Sequence, residues 1–270
     1  MTKSICMIMA HADDIEYSAG GTFAKDIADG YRALYGVMSR CNSGWTVTAE
    51  EGGYYAPSLD IVPRRRQEAA AGAALFGAQL YYGDLLENCY TQRDGTLITP
   101  SFAGAAGAPD DIPAGVPLVV AAGAGNWPED SMVGELADLL VAWQPEVVVG
   151  QSFQNKNPDH FCAALILARA YERAKERAPI GPLWIPVAAP GRTGVFPTLT
   201  ANQIVDVTGY EDAALRALAC HVSQGGHLPG NQEALRRKWR AWGEIAGCAS
   251  AEGFLMTADN SSSSTPRRAG

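Results

Sequence analysis

Short apolar runs alternate with helix-like stretches along most of this chain, and that alternation restricts the fold more than any other feature. Residues 4–10 (SICMIMA), 32–38, 78–82 and 145–150 (PEVVVG) are apolar or β-branched and too short for helices, so they read as strands. Residues 18–28, 64–76, 135–143 and 158–177 carry helical patterns. The first of these has Gly20-Gly21 at its opening, and the second is closed by Gly77 in a C-terminal capping role. A further strand is expected at 203–207, followed by helices at 211–221 and 233–245. Strand–helix–strand order predicts parallel strands joined by crossover helices, with the sheet covered on both faces. The expected class is therefore α/β with a mostly parallel sheet.

The alternation lapses in two places. Residues 43–57 (SGWTVTAEEGGYYAP) form a long aromatic-bearing loop, and residues 86–128 dissolve into Gly, Ala and Pro. A structureless stretch of that length inside a compact domain is usually a functional loop or lid. The end, 260–270 (NSSSSTPRRAG), is low in complexity and expected to be disordered. The organisation expected is one domain over 1–259, with 86–128 as an insertion or lid.

Charge and cysteine usage narrow the partners. Twenty-nine acidic residues against 21 basic ones give a net charge of −8. That balance argues against a general binder of nucleic acid or anionic membrane, because both need clustered positive charge. The clusters Arg64-Arg65-Arg66 and Arg236-Arg237-Lys238 are short and read as solvated helix faces. No run approaches the ~18–20 apolar residues of a membrane span, and the start has no signal-peptide pattern. Six scattered cysteines without a C-x-x-C suggest reduced thiols and a cytoplasmic protein, not a disulfide framework or a thiolate zinc site.

The chemistry concentrates in two short clusters. His11-Ala12-Asp13-Asp14 follows the first strand directly. In a parallel sheet the carboxyl end of a strand is where ligands bind. Asn157-Pro158-Asp159-His160 follows the PEVVVG strand and opens a long helix, so it falls at the same edge. Two of the chain's four histidines thus sit in Asp-rich loops at one end of the sheet. The blander alternative is an N-cap cluster, with Asp13 or Asp14 capping the next helix and His11 incidental. Two His and one carboxylate form the ligand set of a catalytic zinc site with an open position, and the same set also suits non-haem iron. Adjacent aspartates leave one carboxylate for a metal and one for base catalysis. No G-x-G-x-x-G follows the first strand, which argues against an ordinary NAD enzyme.

These residues resemble the PIG-L/LmbE-like metal-dependent N-deacetylases. His11-Ala12-Asp13-Asp14 with Glu16 and Gly20-Gly21 is similar to that family's A-H-P-D-D-x-E…G-G signature, with Ala12 in place of Pro. Asn157-Pro158-Asp159-His160 resembles its His-Pro-Asp-His signature, with Asn157 replacing the first His. Arg65-Arg66-Gln67-Glu68-Ala69 resembles its R-x-x-E-A helix, and His221-Val222-Ser223-Gln224 its late H-x-S-Q. The four segments span about residues 4 to 225 in order. The resemblance implies a Rossmann-like three-layer sandwich with long active-site loops and one Zn2+ per chain, other divalent metals being possible. It implies hydrolysis of an N-acetyl group from a glucosamine. Carried over, His11, Asp14 and His160 are the implied metal ligands and Asp13 the implied general base. Asn157 is an implied oxyanion donor that cannot shuttle a proton, and Asp159 is the implied partner that orients a ligand His.

Other residues carry weaker readings. Trp45, Tyr54, Tyr55 and Trp127 lie in the long loops and are read either as a platform for sugar rings or as packing within those loops. Arg65 is read as a substrate or acidic-neighbour contact, against a surface charge, and His221 as a structural histidine near the site. The resemblance implies a small-molecule glycoconjugate substrate, and among that family's acceptors the aromatic loops turn the expectation to a glycopeptide-antibiotic pseudoaglycone. The alternatives are another N-acetylglucosamine conjugate, a non-sugar amide or ester, and a non-catalytic binding relative kept in view by Asn157.

Overall fold

The computed structural model describes residues 3–42, 45–47, 52–54, 61–85, 90–91, 97–98, 129–152, 154, 158–191 and 199–257. In chain order the elements are β1 (Ser4–Met9), α1 (Asp14–Ala28), β2 (Arg32–Ser39), β3 (Trp45–Val47), β4 (Gly52–Tyr54), α2 (Val62–Phe76) and β5 (Gln79–Leu85). Then come β6 (Tyr90–Thr91), β7 (Leu97–Ile98), α3 (Glu129–Trp143), β8 (Val147–Val149), α4 (Pro158–Lys175) and β9 (Leu183–Pro186). The chain continues through β10 (Gln203–Asp206), α5 (Glu211–Ala219), a 3-10 turn (Val222–Gln224), α6 (Pro229–Ala246) and β11 (Ala251–Met256).

Seven strands form one sheet in the order β10-β11-β9-β8-β1-β2-β5. Every pairing from β9 to β5 is parallel, whereas β11 runs antiparallel to both β9 and β10. The expected α/β class with a mostly parallel sheet holds. Successive β1 side chains point to opposite faces, as pleating requires. Cys6, Ile8 and Ala10 pack with α3 and α4, and Ile5, Met7 and Met9 pack with α1 and α2. Both sides of the sheet are therefore covered, which makes three layers. α6 closes the β11 end, with Trp239 packed beside Val207 and Leu218.

Strand order places the site. From β1 the chain crosses to β2 on one side, and from β8 it crosses to β9 on the other. β1 and β8 are direct neighbours, so the two loops after them diverge from a topological switch point, where open α/β sheets bind ligands.

Several element boundaries differ from expectation, each for a packing reason. α1 begins at Asp14, not at residue 18, and it is broken at Ala19 (φ −148°, ψ 23°). Gly20-Gly21 sits just after this break instead of opening the helix. A Cβ on Gly21 would lie 2.8–3.0 Å from three Val207 side-chain atoms, and one on Gly20 3.0 Å from the Ala214 Cβ. The backbone groups freed by the break find remote partners. Gly21 and Thr22 amides donate to the fully buried Glu252 carboxylate at 3.1 and 2.8 Å, and Lys238 Nζ donates to the Tyr17 and Ser18 carbonyls at 2.7 and 2.8 Å. α5 stops at Ala219, so His221 lies in the following turn and not in the helix. β9 and β11 have no counterpart among the expected strands, nor do the antiparallel pairs β3–β4 and β6–β7, which fall in the two stretches expected to be loops.

Five cysteines among the described residues are free thiols, three of them buried. No described helix is long and apolar enough to cross a membrane. Residues 86–128, apart from the short β6–β7 pair, and the 260–270 tail lie outside the described residues, as do Tyr55, Trp127 and Asn157. Trp45 is described only as part of the β3 backbone.

Candidate metal centre

The loop after β1 is fixed by its backbone groups. The Ala10 amide donates to Gln151 Oε1 (2.9 Å), which bridges from the end of β8, and the Ala10 carbonyl accepts the Ser39 amide from β2 (3.0 Å). The His11 amide donates to Asp14 Oδ2 (2.8 Å) and the Ala12 amide to Cys41 Sγ (3.2 Å). The Ala12 carbonyl accepts Arg65 Nη2 at 2.8 Å, and the Asp13 carbonyl accepts the Tyr17 amide at 3.1 Å. Partnered groups of this kind hold a buried loop in one conformation.

That conformation places Asp13 at φ 106°, a region that L side chains seldom enter. Such a residue costs on the order of 1–3 kcal/mol and persists where its surroundings over-determine it. Asp13 is the N-cap residue of α1 by position, but its side chain makes no capping hydrogen bond. The capping alternative therefore does not account for Asp13, and its carboxylate is left for another use.

Three side chains converge above this loop. His11 Nδ1 is 3.1 Å from His160 Nε2 and 3.1 Å from Asp14 Oδ2, and His160 Nε2 is 3.3 Å from Asp14 Oδ1. Three ligand atoms, one from each, all lie within 4.8 Å of one another. Tetrahedral ligands ~2.0–2.1 Å from a zinc ion stand about 3.3 Å apart, so the spacing fits one cation. Two imidazole nitrogens this close cannot both carry protons, so either a single proton or a shared cation lies between them. Asp159 stands outside the trio, its Oδ2 3.2 Å from His11 Nε2 on the far side of that ring. A partner there sets which nitrogen of His11 faces the cluster.

The two adjacent aspartates are electrostatically unlike. Burial pushes the Asp14 carboxyl up, but His160 and His11 outweigh it by charge and hydrogen bond and hold it well below the usual carboxylate range. Asp13 moves the other way. Burial pushes it up to about 6; Arg65, His221 and His11 pull it down, and the neighbouring Asp14 adds to the rise. One carboxylate stays ionised as a ligand must, and the other titrates near neutrality as a base must.

Arg65 overturns one sequence expectation. It is only 1% exposed, so a solvated face does not describe it. Its guanidinium reaches the loop after β1, 3.7 Å from Asp13 Oδ1 as well as on the Ala12 carbonyl. Glu68, one turn further on, accepts the Ser223 amide (2.8 Å) and hydroxyl (2.6 Å), tying the same helix to the His221 turn. Sequence reasoning missed Gln151 and Cys41, which belong to no recognisable motif and are brought to the loop after β1 only by strand order.

The family model described as "PIG-L: GlcNAc-PI de-N-acetylase" matches residues 6–171. The match runs from β1 into α4 and so contains both halves of the cluster. The chain belongs to this family. No curated protein matches it in sequence. Among solved structures, GalB, the 4-carboxy-2-hydroxymuconate hydratase of Pseudomonas putida KT2440, is similar at 19% identity and a TM-score of 0.64, covering 98% of this chain and 100% of that one. The N,N'-diacetylchitobiose deacetylase of Pyrococcus horikoshii is similar at 18% identity and a TM-score of 0.61, covering 95% and 84%. The zinc-inhibited form of teicoplanin deacetylase Orf2 is similar at 18% identity and a TM-score of 0.62, covering 96% and 100%. At such identities the likeness is one of fold, and the hydratase demonstrates that this fold serves more than one reaction.

Proposed function

We propose that this PIG-L-family chain is a zinc-dependent N-deacetylase that removes the acetyl group from a glucosamine-containing glycoconjugate, releasing a free amine and acetate. The observation that carries the reading is the pairing of a His11–Asp14–His160 cluster with an uncapped, strained Asp13 beside it. A binding relative without catalysis has no need to hold a carboxylate at that cost.

His11, Asp14 and His160 are the proposed ligands. A divalent cation bound there supplies Lewis-acid polarisation of the amide carbonyl and lowers the pKa of a bound water toward ~7. Asp13 takes a proton from the attacking water and returns it to the departing amine nitrogen, so proton and leaving group balance. Arg65 keeps that carboxylate available as a base by opposing the effect of burial. Asp159 orients the His11 ring. Asn157 is the proposed donor to the developing oxyanion, a role worth ~3–4 kcal/mol for a well-placed group. Because Asn cannot carry a proton at neutral pH, both transfers fall to Asp13.

For the substrate we favour a glycopeptide-antibiotic pseudoaglycone, with Trp45 and Tyr55 contacting it. The teicoplanin deacetylase of the same fold and the aromatic residues of the 43–57 segment support this choice. The test is mass spectrometry on a panel of N-acetylglucosaminyl compounds that includes such a pseudoaglycone, with and without a chelator. Chelator-sensitive loss of an acetyl mass is the expected result. A metal-loaded protein that deacetylates no member overturns the reading.

A further inference from the structure

The residues from His11 to Asp14 make a β-turn, closed by the Asp14 amide on the His11 carbonyl at 3.4 Å. Asp13, its third residue, has φ 106° and ψ −23°. Ala12, its second, is not among the residues with positive φ. This combination is the type II form, which asks for about 80° and 0° at the third residue. The local sequence does not favour it. Type II turns prefer proline second and glycine or asparagine third, whereas this chain carries Ala12 and Asp13. A half-rotation of the Ala12–Asp13 peptide would give a type I turn, bring Asp13 to a φ of about −90° and relieve its strain. Contacts from outside the turn must therefore hold it.

Two buried side chains grip Ala12 from opposite ends. On its carbonyl is Arg65 Nη2 from α2, at 2.8 Å. In a type II turn the second residue's carbonyl lies on the same side as the third residue's Cβ. One guanidinium thus meets both the Ala12 carbonyl and Asp13 Oδ1, the latter at 3.7 Å. Rotating the peptide would put the Asp13 N–H where that carbonyl stands. A guanidinium has only donors, so Arg65 would lose its hold on the turn. On the Ala12 amide is Cys41 Sγ, at 3.2 Å, from the segment after β2. Cys41 is fully buried, and its own amide donates to Ser39 Oγ at 3.2 Å. Its φ is 54°. Among the described residues three non-glycine residues have positive φ, and two of them, Asp13 and Cys41, meet at Ala12.

We infer that Arg65 and Cys41 are positioning residues that hold this turn in its type II form, and that the choice of turn fixes the Asp13 carboxylate. The inference rests on the proposal that Asp13 is the base in deacetylation. Cys41 acts through the Ala12 N–H, and Arg65 through the Ala12 carbonyl as well as by its charge.

The experiment compares Cys41→Ala, Ala12→Pro and the two together with the wild-type protein, with kcat expressed per bound zinc. Cys41→Ala leaves a buried N–H without its acceptor and is expected to lower kcat about tenfold, with KM and zinc occupancy unchanged. Ala12→Pro alone is expected to lower kcat too, because its ring presses on the Cys41 sulfur. The double variant is expected to return to within about threefold of wild type. The ring then fills the space of the thiol, fixes φ as the second turn position asks and has no N–H to satisfy. A merely structural Cys41 would lower thermal stability, leave kcat per bound zinc intact and gain nothing from proline.

A second readout needs no substrate. NMR of the wild-type protein is expected to show a strong nuclear Overhauser effect between the Ala12 Hα and the Asp13 amide, the mark of a type II turn. In Arg65→Met that signal is expected to give way to a strong one between the Ala12 and Asp13 amides, the mark of type I. An Arg65 that acts by charge alone would leave the turn signals as they are. A double variant no faster than Cys41→Ala overturns the inference, as do type II signals retained in Arg65→Met. If Arg65→Met does not fold, the Cys41 and Ala12 variants decide. A wild-type protein inactive on every substrate sinks the deacetylase reading instead, and the turn signals still decide what holds Asp13.

Discussion

Asp13→Asn should sharply lower turnover and, in the metal-free protein, raise stability above pH 6. The two effects share one cause. Burial lifts the Asp13 carboxyl from 3.8 to about 6 even though Arg65 pulls against it. A group with a raised folded-state value favours the fold below its unfolded value, and that contribution disappears as pH rises through about 6. Asparagine stands in for the protonated acid at every pH and tolerates the same left-handed backbone. The difference between 3.8 and about 6 is roughly two pH units, which at 1.36 kcal/mol each is on the order of 3 kcal/mol. The side chain is 16% exposed, and solvent screening brings this to roughly 1–3 kcal/mol. Urea denaturation of both proteins after chelation measures it. Their stabilities should nearly coincide below pH 4, separate through pH 4–6, and differ by the full amount at pH 8 with the variant ahead. Turnover by the zinc-loaded variant should fall by ~10²–10⁴. A wild-type protein that is equal or more stable at pH 8 would refute the argument that burial outweighs Arg65.

Three further outcomes follow from the geometry. His160→Ala should abolish stoichiometric zinc binding in equilibrium dialysis, whereas Asp159→Asn should weaken it only ~10–100-fold, because Asp159 acts through the His11 ring. Glu252→Gln should lower stability by about 1–3 kcal/mol in urea titrations, since Glu252 receives the Gly21, Thr22 and Trp239 N–H groups and an amide NH2 would face some of these donors. Gly21→Ala should cost ~1–3 kcal/mol by collision with Val207, and Val207→Ala in the same chain should recover part of that loss, read as the shift in thermal midpoint.

Much of this protein was legible in its residues alone. The class followed from period and order, since SICMIMA and PEVVVG are short apolar runs suited to buried strands and the helices between them favour parallel pairing. The two clusters were legible because ligand-binding residues of a parallel sheet follow strands at one edge, and because His and Asp are seldom placed together for packing. The N-acetyl chemistry came from the joint likeness of four short segments, none of which would have sufficed alone.

What the sequence could not determine depends on residues far apart in the chain. Leu183–Pro186 is bounded by prolines and reads as a loop until β8 and β11 pair with it. Ala251–Met256 carries a glutamate that looks like a surface residue until the break in α1, some 230 positions away, presents two free amides to it. Arg65 sits in a triplet of arginines, and only the turn of α2 decides that its side chain faces Asp13 while its neighbours face elsewhere. Tyr35 belongs to an apolar strand, and pleating puts its hydroxyl on the buried Glu16 carboxylate. Local propensity sets most of the elements, and strand pairing adds those such as β9 that it does not mark. Which buried donor meets which acceptor is settled by the tertiary fold, because a polar group taken out of water must find its partner wherever the chain brings one.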